Sequence, residues 1–344
     1  MLTKKQMQEI REHLDNAQNP VFFFDNDPDG LCSFLLLQRY CGKGKGVLVN
    51  SFPNMTVDYF RKVREFNADY IFILDKPRVS KEFFEEARQV NIPVVWIDHH
   101  EIDKKTIPEF VNYYNPLLNR FKSNEPVTYL CQRITERKED LWLAVAGSIS
   151  DKFVPSFYSK FLKEYPDLGI KSKDAFGILY RSQIGKIALM FSFALKDRTT
   201  NVVNMFRFLM KVKTPYEVLE ECSKNKTMHD RYNYINNRYV HLIAKAKANV
   251  NEGRFLFFKY SGELSMSSDL ANELSYIFPK KVIVVMFVSG LKVNVSVRGK
   301  KIRETILNAI NQLEDATGGG HEDAVGARIK IEDIEKFKEL LEKD

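Results

Sequence analysis

Between residues 21 and 100, four short apolar runs at 21–25, 47–50, 70–75 and 94–98 alternate with helical stretches at 31–40, 57–66 and 81–90. Strands separated by helices on this rhythm form parallel, doubly wound sheets, because a parallel crossover needs a helix to carry the chain back. The expected fold is therefore α/β, with a doubly wound parallel sheet in an N-terminal domain over 1–195. A helical connector over 196–250 and a smaller α/β domain with a mixed sheet over 251–344 follow. In such sheets ligands bind beyond the carboxyl ends of the strands. Asp25, Asp75 and Asp98 each stand where a run ends, and turn chemistry alone does not deliver three carboxylates to one edge.

The first run, Val21-Phe22-Phe23-Phe24, passes directly into Asp25-Asn26-Asp27-Pro28-Asp29-Gly30. Three carboxylates at alternate positions repel strongly in a poorly solvated cleft, so a hard divalent cation is expected among them. The plainer alternative is a Pro-Asp-Gly turn that only reverses the chain. The fourth run ends Trp96-Ile97-Asp98-His99-His100 and adds imidazole nitrogen to the carboxylate oxygens, a mixture suited to manganese, iron or zinc more than to magnesium alone. Adjacent histidines point in different directions, so both need not be ligands. The apolar helix expected over 141–150 carries small Ala144, Ala146, Gly147 and Ser148 for close packing and runs into Asp151, either a helix-end cap or a further ligand.

At 344 residues the chain is long enough for two cores. No run of about 20 apolar residues occurs, and residues 1–20 form an amphipathic helix candidate with Ile10, Leu14 and Ala17 on one side. Neither a membrane span nor a secretory signal is expected, and the expected location is cytoplasmic. Cys32, Cys41, Cys131 and Cys222 have no ligand spacing and read as reduced structural thiols. The formal net charge of +7 permits a polyanionic partner. In 196–250, Arg198, Arg207, Lys211, Lys213, Arg231 and Arg238 stand among Phe206, Phe208, Tyr232, Tyr234 and Tyr239. They are either the solvated and core faces of helices or a track for a single strand by charge and stacking.

Beyond Gly253 a second unit is expected: strand 254–260, helix 267–278, and strands 281–288 and 291–298 joined as a hairpin by Ser289-Gly290, with Arg298 closing the second. A helix over 303–314 leads to Thr317-Gly318-Gly319-Gly320-His321. Consecutive glycines in a folded domain cost backbone entropy. They read either as a flexible linker or as backbone brought close to an anion in a nest of N–H groups.

With Asp25-x-Asp27-x-Asp29-Gly30, Asp75, Asp98-His99-His100, Asp151 and Gly318-Gly319-Gly320-His321 in this order, the chain resembles the DHH phosphoesterase superfamily. More narrowly, it resembles members with a DHH-associated C-terminal domain, the RecJ-type single-strand exonucleases and the nanoRNases. The resemblance implies a DHH catalytic domain with two divalent metal ions, Mn2+ preferred and Mg2+ as substitute. Asp25 and Asp27 would hold one ion, Asp29, His99 and Asp151 the other, and Asp75 would bridge. It further implies that His100 faces the substrate phosphate, that Asp98 orients the histidines, and that Arg298, Gly318, Gly319, Gly320 and His321 grip phosphates.

The implied activity is exonucleolytic release of nucleoside 5′-monophosphates from single-stranded DNA or RNA. The alternatives are a nanoRNase or small-molecule phosphoesterase acting on cyclic dinucleotides or adenosine bisphosphate, and a non-catalytic replication or repair scaffold. Degenerate members of the superfamily lose metal ligands, whereas this chain keeps them. The expected partners are single-stranded nucleic acid or a short oligonucleotide, with a replication or repair protein as a further one, and no membrane.

Overall fold

Phe22, Phe23 and Phe24 alternate between the two faces of the first strand and none is exposed, as a run without polar alternation requires. The computed structural model describes residues 1–50 and 55–343; Asp344, the last residue of the expected 251–344 domain, lies outside them. Two units emerge, Met1–Tyr232 and Asn233–Asp344.

The first unit is built on β1 (Pro20–Asp25), β2 (Lys45–Val49), β3 (Tyr70–Leu74), β4 (Val94–Ile97) and β5 (Asn112–Tyr114). All pair in parallel, in the order β2-β1-β3-β4-β5. The chain winds outward from β1 in one direction and returns through β3 in the other, so the switch point lies between them. Asp25 ends β1 and Asp75 follows β3, one on each side of that crevice. The strand β5 has no counterpart among the apolar runs, because three residues of Asn-Tyr-Tyr carry no strand signal of their own.

Helices α1 (Lys4–Asn16), α2 (Pro28–Cys41), α3 (Phe60–Glu65), α4 (Lys81–Gln89), α5 (Val127–Thr135) and α6 (Leu141–Ser150) cover the sheet. Val21, Phe23, Ile71, Ile73, Val94 and Trp96 pack against Phe60, Val63, Phe83, Phe84 and Ala87 of α3 and α4. On the other face Phe24 stacks on Phe34 of α2 with ring centres 4.8 Å apart. Ile10, Leu14 and Ala17 are fully buried, as the amphipathic pattern of α1 requires. A Cβ on Gly147 of α6 would lie 2.4 Å from Thr128 Oγ1 and 2.8 Å from Cys32 Cβ, so α6 approaches α2 and α5 closely only because that residue is glycine.

Helices α7 (Tyr158–Glu164), α8 (Ala175–Arg181), α9 (Gln183–Ala194), α10 (Thr199–Leu209), α11 (Tyr216–Leu219) and α12 (Lys226–Ala248) follow. Phe206 of α10 meets Phe24 and Phe34 edge-on at 5.3 and 5.7 Å. Arg39 donates to the carbonyls of Leu209 and Val212. Helix α10 is thus part of the first unit's core, and the division between units falls within α12.

The second unit contains β6 (Phe255–Ser261), β7 (Val282–Ser289), β8 (Lys292–Arg298), β9 (Thr317–His321) and β10 (Ala324–Lys330), with α13 (Ser267–Ile277), α14 (Arg303–Ile310) and α15 (Ile334–Glu342). The sheet order is β6-β7-β8-β10-β9. Strands β6 and β7 are parallel and the other pairs antiparallel, so the sheet is mixed. The hairpin joins β7 to β8 with Ser289 paired to Lys292. Its link is therefore Gly290-Leu291, one residue later than expected. The glycine run forms the exposed, extended edge strand β9 instead of a nest. At Gly318 a Cβ would stand 2.5 Å from Ile310 Cδ1, which gives that glycine a packing reason. Among the described residues, no helix is long and apolar enough to cross a membrane.

Candidate metal centre

The turn after β1 is built by its own carboxylates. Asp27 caps α2, its Oδ1 accepting the Gly30 N–H at 2.9 Å, with Pro28 in the first helical turn. A Cβ on Gly30 would lie 2.5 Å from the Asp25 carbonyl oxygen, so glycine lets the helix start close under the strand end. Asp29 is 1% exposed and accepts the N–H groups of Val127 at 3.0 Å and Thr128 at 2.7 Å, tying α2 to the start of α5. These ties go beyond what a Pro-Asp-Gly turn needs.

Asp75, 3% exposed, takes a left-handed backbone with φ of 58°. Its Oδ1 lies 3.3 Å from His99 Nε2, which in turn is 3.9 Å from Asp151 Oδ2. Asp151 follows α6, and its side chain is 45% exposed. Asp98 is fully buried, 2.8 Å from His100 Nδ1, and its Oδ2 accepts the Tyr113 hydroxyl at 3.2 Å. Asn115 Nδ2 donates to the Tyr113 hydroxyl and to the His100 carbonyl, each at 2.8 Å. Asp98 therefore holds His100 directly.

Among the described residues, three overlapping sets bring ligand atoms within 4.8 Å of one another: Asp25, Asp27 and Asp75; Asp29, His99 and Asp151; and Asp75, His99 and His100. Asp75 belongs to the first and third. Its buried Oδ1 has no hydrogen-bond partner among the described residues, an arrangement that costs free energy unless a cation satisfies it. Carboxylate oxygens with an imidazole fit a divalent ion of hard to borderline character.

Burial, then the charges of Asp25 and Asp29, push the Asp27 carboxyl up to about 8. Burial, then Asp29 and Asp27, hold Asp75 well above the usual carboxylate range. Partial withdrawal from water, with the charge of Asp29, lifts the half-exposed Asp151 to about 6 against the pull of His99. Burial opposes the imidazolium form of His100, but the hydrogen bond and charge of Asp98 overcome it and raise His100 to about 9. Asp98 itself is lowered, because His100 outweighs the burial that would raise it.

A centre with raised carboxyls holds protons that a metal ion displaces. Between the ordinary aspartate value near pH 4 and the raised value of Asp27, the metal-free native state binds more protons than the unfolded chain. The contribution is thus fully present at the acid end and lost as pH rises through about 8. Chelated protein should therefore melt at lower temperature as pH rises across this window. Saturating Mn2+ should remove that decline, so the Mn2+-induced shift in melting temperature grows with pH. A shift independent of pH would detach these carboxyls from metal binding.

Lys76 gives no sign of its role in the sequence beyond its place next to Asp75. It is 1% exposed, and its Nζ donates to Asp25 Oδ1 at 2.8 Å and to the Asn50 carbonyl at 2.9 Å. Tyr113, Asn115 and Thr128 likewise become visible only through the fold. In the second unit, Arg298 ends β8, with Nε donating to Asn272 Oδ1 at 2.6 Å and Nη1 to the Val297 carbonyl at 2.8 Å. Gly318, Gly319, Gly320 and His321 lie along β9.

A parallel sheet with a switch-point carboxylate cluster, followed by a mixed-sheet unit, agrees with two family models. Residues 21–148 match the DHH family, N-terminal domain, and residues 254–344 the DHHA1 domain. The chain belongs to the DHH superfamily. Within it the chain is RecJ-like in fold: it is similar to RecJ from Thermus thermophilus, solved in complex with Mn2+, with a TM-score of 0.67 and 17% identity. That match covers 98% of this chain and 54% of the other, so the chain spans about half the length of that RecJ. It is also similar to CDC45 from Entamoeba histolytica, with a TM-score of 0.58, 11% identity and 98% of each chain covered. A third similar structure is the pGpG-specific phosphodiesterase PggH from Vibrio cholerae, with a TM-score of 0.52, 12% identity, and 95% of this chain and 98% of that chain covered. No curated protein sequence matches the chain.

Proposed function

We propose that the protein is a metal-dependent phosphodiesterase, a RecJ-like exonuclease that releases nucleoside 5′-monophosphates from single-stranded DNA or RNA in cytoplasmic DNA repair. The observation that carries this reading is a chain of ligand sets, Asp25 and Asp27 with Asp75, Asp75 with His99 and His100, and His99 with Asp29 and Asp151, around a buried Asp75 oxygen that no described residue hydrogen-bonds. Two divalent ions held by these residues, Mn2+ preferred, would supply activated water and charge neutralisation at phosphorus. RecJ from Thermus thermophilus, solved in complex with Mn2+ and in complex with Mg2+, supports a divalent ion at such a centre.

The chain's own groups then have distinct tasks. Asp75 serves both metal positions. His100, kept charged by Asp98, offers a proton-bearing nitrogen to a phosphate oxygen, and Tyr113 with Asn115 holds that pair in place. Arg298, Gly318 to Gly320 and His321 bind phosphates of the strand. A charge-assisted hydrogen bond contributes roughly 1.5–3 kcal/mol. His321→Ala should therefore weaken oligonucleotide binding about ten- to a hundredfold and leave Mn2+ affinity unchanged. Loss of Mn2+ binding in this variant would make His321 a ligand and overturn the division of tasks.

A second reading, hydrolysis of very short linear oligonucleotides such as dinucleotides, is favoured by the similarity to the pGpG-specific phosphodiesterase. A ladder of end-labelled single strands decides between them. Stepwise shortening of long strands with mononucleotide release supports the exonuclease, and activity confined to strands of two to four residues supports the second reading. No hydrolysis of any length in the presence of Mn2+ would sink both.

A further inference from the structure

The two halves of the metal centre are not equivalent in charge. In the set Asp29, His99 and Asp151 the lysine charge acting on Asp151 is that of the solvent-exposed Lys152, whereas Asp25, in the set with Asp27 and Asp75, carries the buried Lys76 ammonium at 2.8 Å. Lys76 is not a surface chain that has folded over. Its side chain is buried, its Nζ also donates to the Asn50 carbonyl, and its own carbonyl accepts Trp96 Nε1 at 2.9 Å. Trp96 is itself buried in the sheet core, so backbone and side chain are both held. A fixed positive charge away from bulk water is poorly screened, and it opposes any cation placed on the same carboxylate.

We propose that Lys76 makes the Asp25/Asp27 half the weak metal position, so that the centre fills in two unequal steps. A first divalent ion enters at Asp29, His99 and Asp151. The second enters at Asp25 and Asp27 in competition with the Lys76 ammonium, which supplies part of the charge a second ion would otherwise provide. The inference rests on the metal-dependent reading of the centre. It gives Lys76 the role of a positioning residue that sets the cation concentration at which the second position fills.

The test is Mn2+ titration of the full chain by calorimetry, with electron paramagnetic resonance reporting the Mn–Mn coupling that appears only when both positions are filled. The wild type should show two steps separated by about tenfold or more in affinity. Lys76→Met, similar in volume and uncharged, should tighten the weaker step by about tenfold or more and leave the tighter one in place. Coupling should then appear at lower Mn2+. If the methionine variant fails to fold, Lys76→Gln, which retains a donor for Asn50, reads the same step. Two equal steps in the wild type, or a weaker step unmoved by loss of the charge in either variant, would overturn the proposal. Absence of any Mn2+ binding in the wild type would instead remove the metal-dependent reading and this inference with it.

Discussion

Asp75→Asn should lower turnover on a phosphodiester by at least about a hundredfold, the scale of losing one preorganised electrostatic group, while the protein still folds. Asparagine is the informative replacement. At φ 58° Asp75 occupies a backbone region that alanine enters only with strain, whereas asparagine tolerates it. The volume is retained and only the anionic charge is removed. Because Asp75 shares one ligand set with Asp25 and Asp27 and another with His99, itself a ligand of the other position, both metal positions should weaken, and calorimetry should show two shallower Mn2+ steps beside an unchanged circular dichroism spectrum. Near-normal turnover at saturating Mn2+ would show that Asp75 does not join the two positions. Unfolding would show that its charge is structural.

Asp29→Ala should abolish the tighter Mn2+ step and also lower stability, because this carboxylate does two things at once. It closes a ligand set with His99 and Asp151, and it accepts two N–H groups at the start of α5. Leaving a buried donor unsatisfied costs about 1–3 kcal/mol, so alanine should melt well below the wild type even under chelation. Asp29→Asn separates the roles: its amide oxygen still accepts an N–H, but it brings no charge to a cation. The asparagine variant should recover part of the melting temperature and none of the tight Mn2+ step. Alanine that bound Mn2+ normally would exclude Asp29 as a ligand, and asparagine as unstable as alanine would mean that the charge, not the acceptor, holds α5.

Much of this centre is legible in the residue order because its parts sit at strand ends. Runs such as 21–24 and 70–74 are apolar at every position, so their burial and their stopping points can be read without the fold. The support around the ligands cannot. Tyr113 reaches Asp98 only because β5 lies beside β4, and a three-residue strand with two tyrosines and an asparagine has no periodicity to detect. In sequence Lys76 is a polar residue entering a loop, since nothing local shows that Asn50 and Trp96 close over it. The glycines at 318–320 read as a nest because entropy cost alone cannot separate a nest from an edge strand pressed against Ile310. Phe206 is ambiguous for a related reason: helical spacing shows a face, not the surface it meets.

The left-handed backbone at Asp75 also shapes how this lineage can change. One nucleotide separates an aspartate codon from asparagine and from glycine, the two residues besides aspartate that accept such a φ most easily. The cheapest inheritable losses at this codon thus erase the charge and spare the fold. Selection acting on the folded surface alone would keep such a protein after its chemistry had gone, whereas bulkier or β-branched replacements would be removed for instability. On the proposed phosphodiesterase reading, one nucleotide at this codon is therefore enough to leave an inert protein of the same shape.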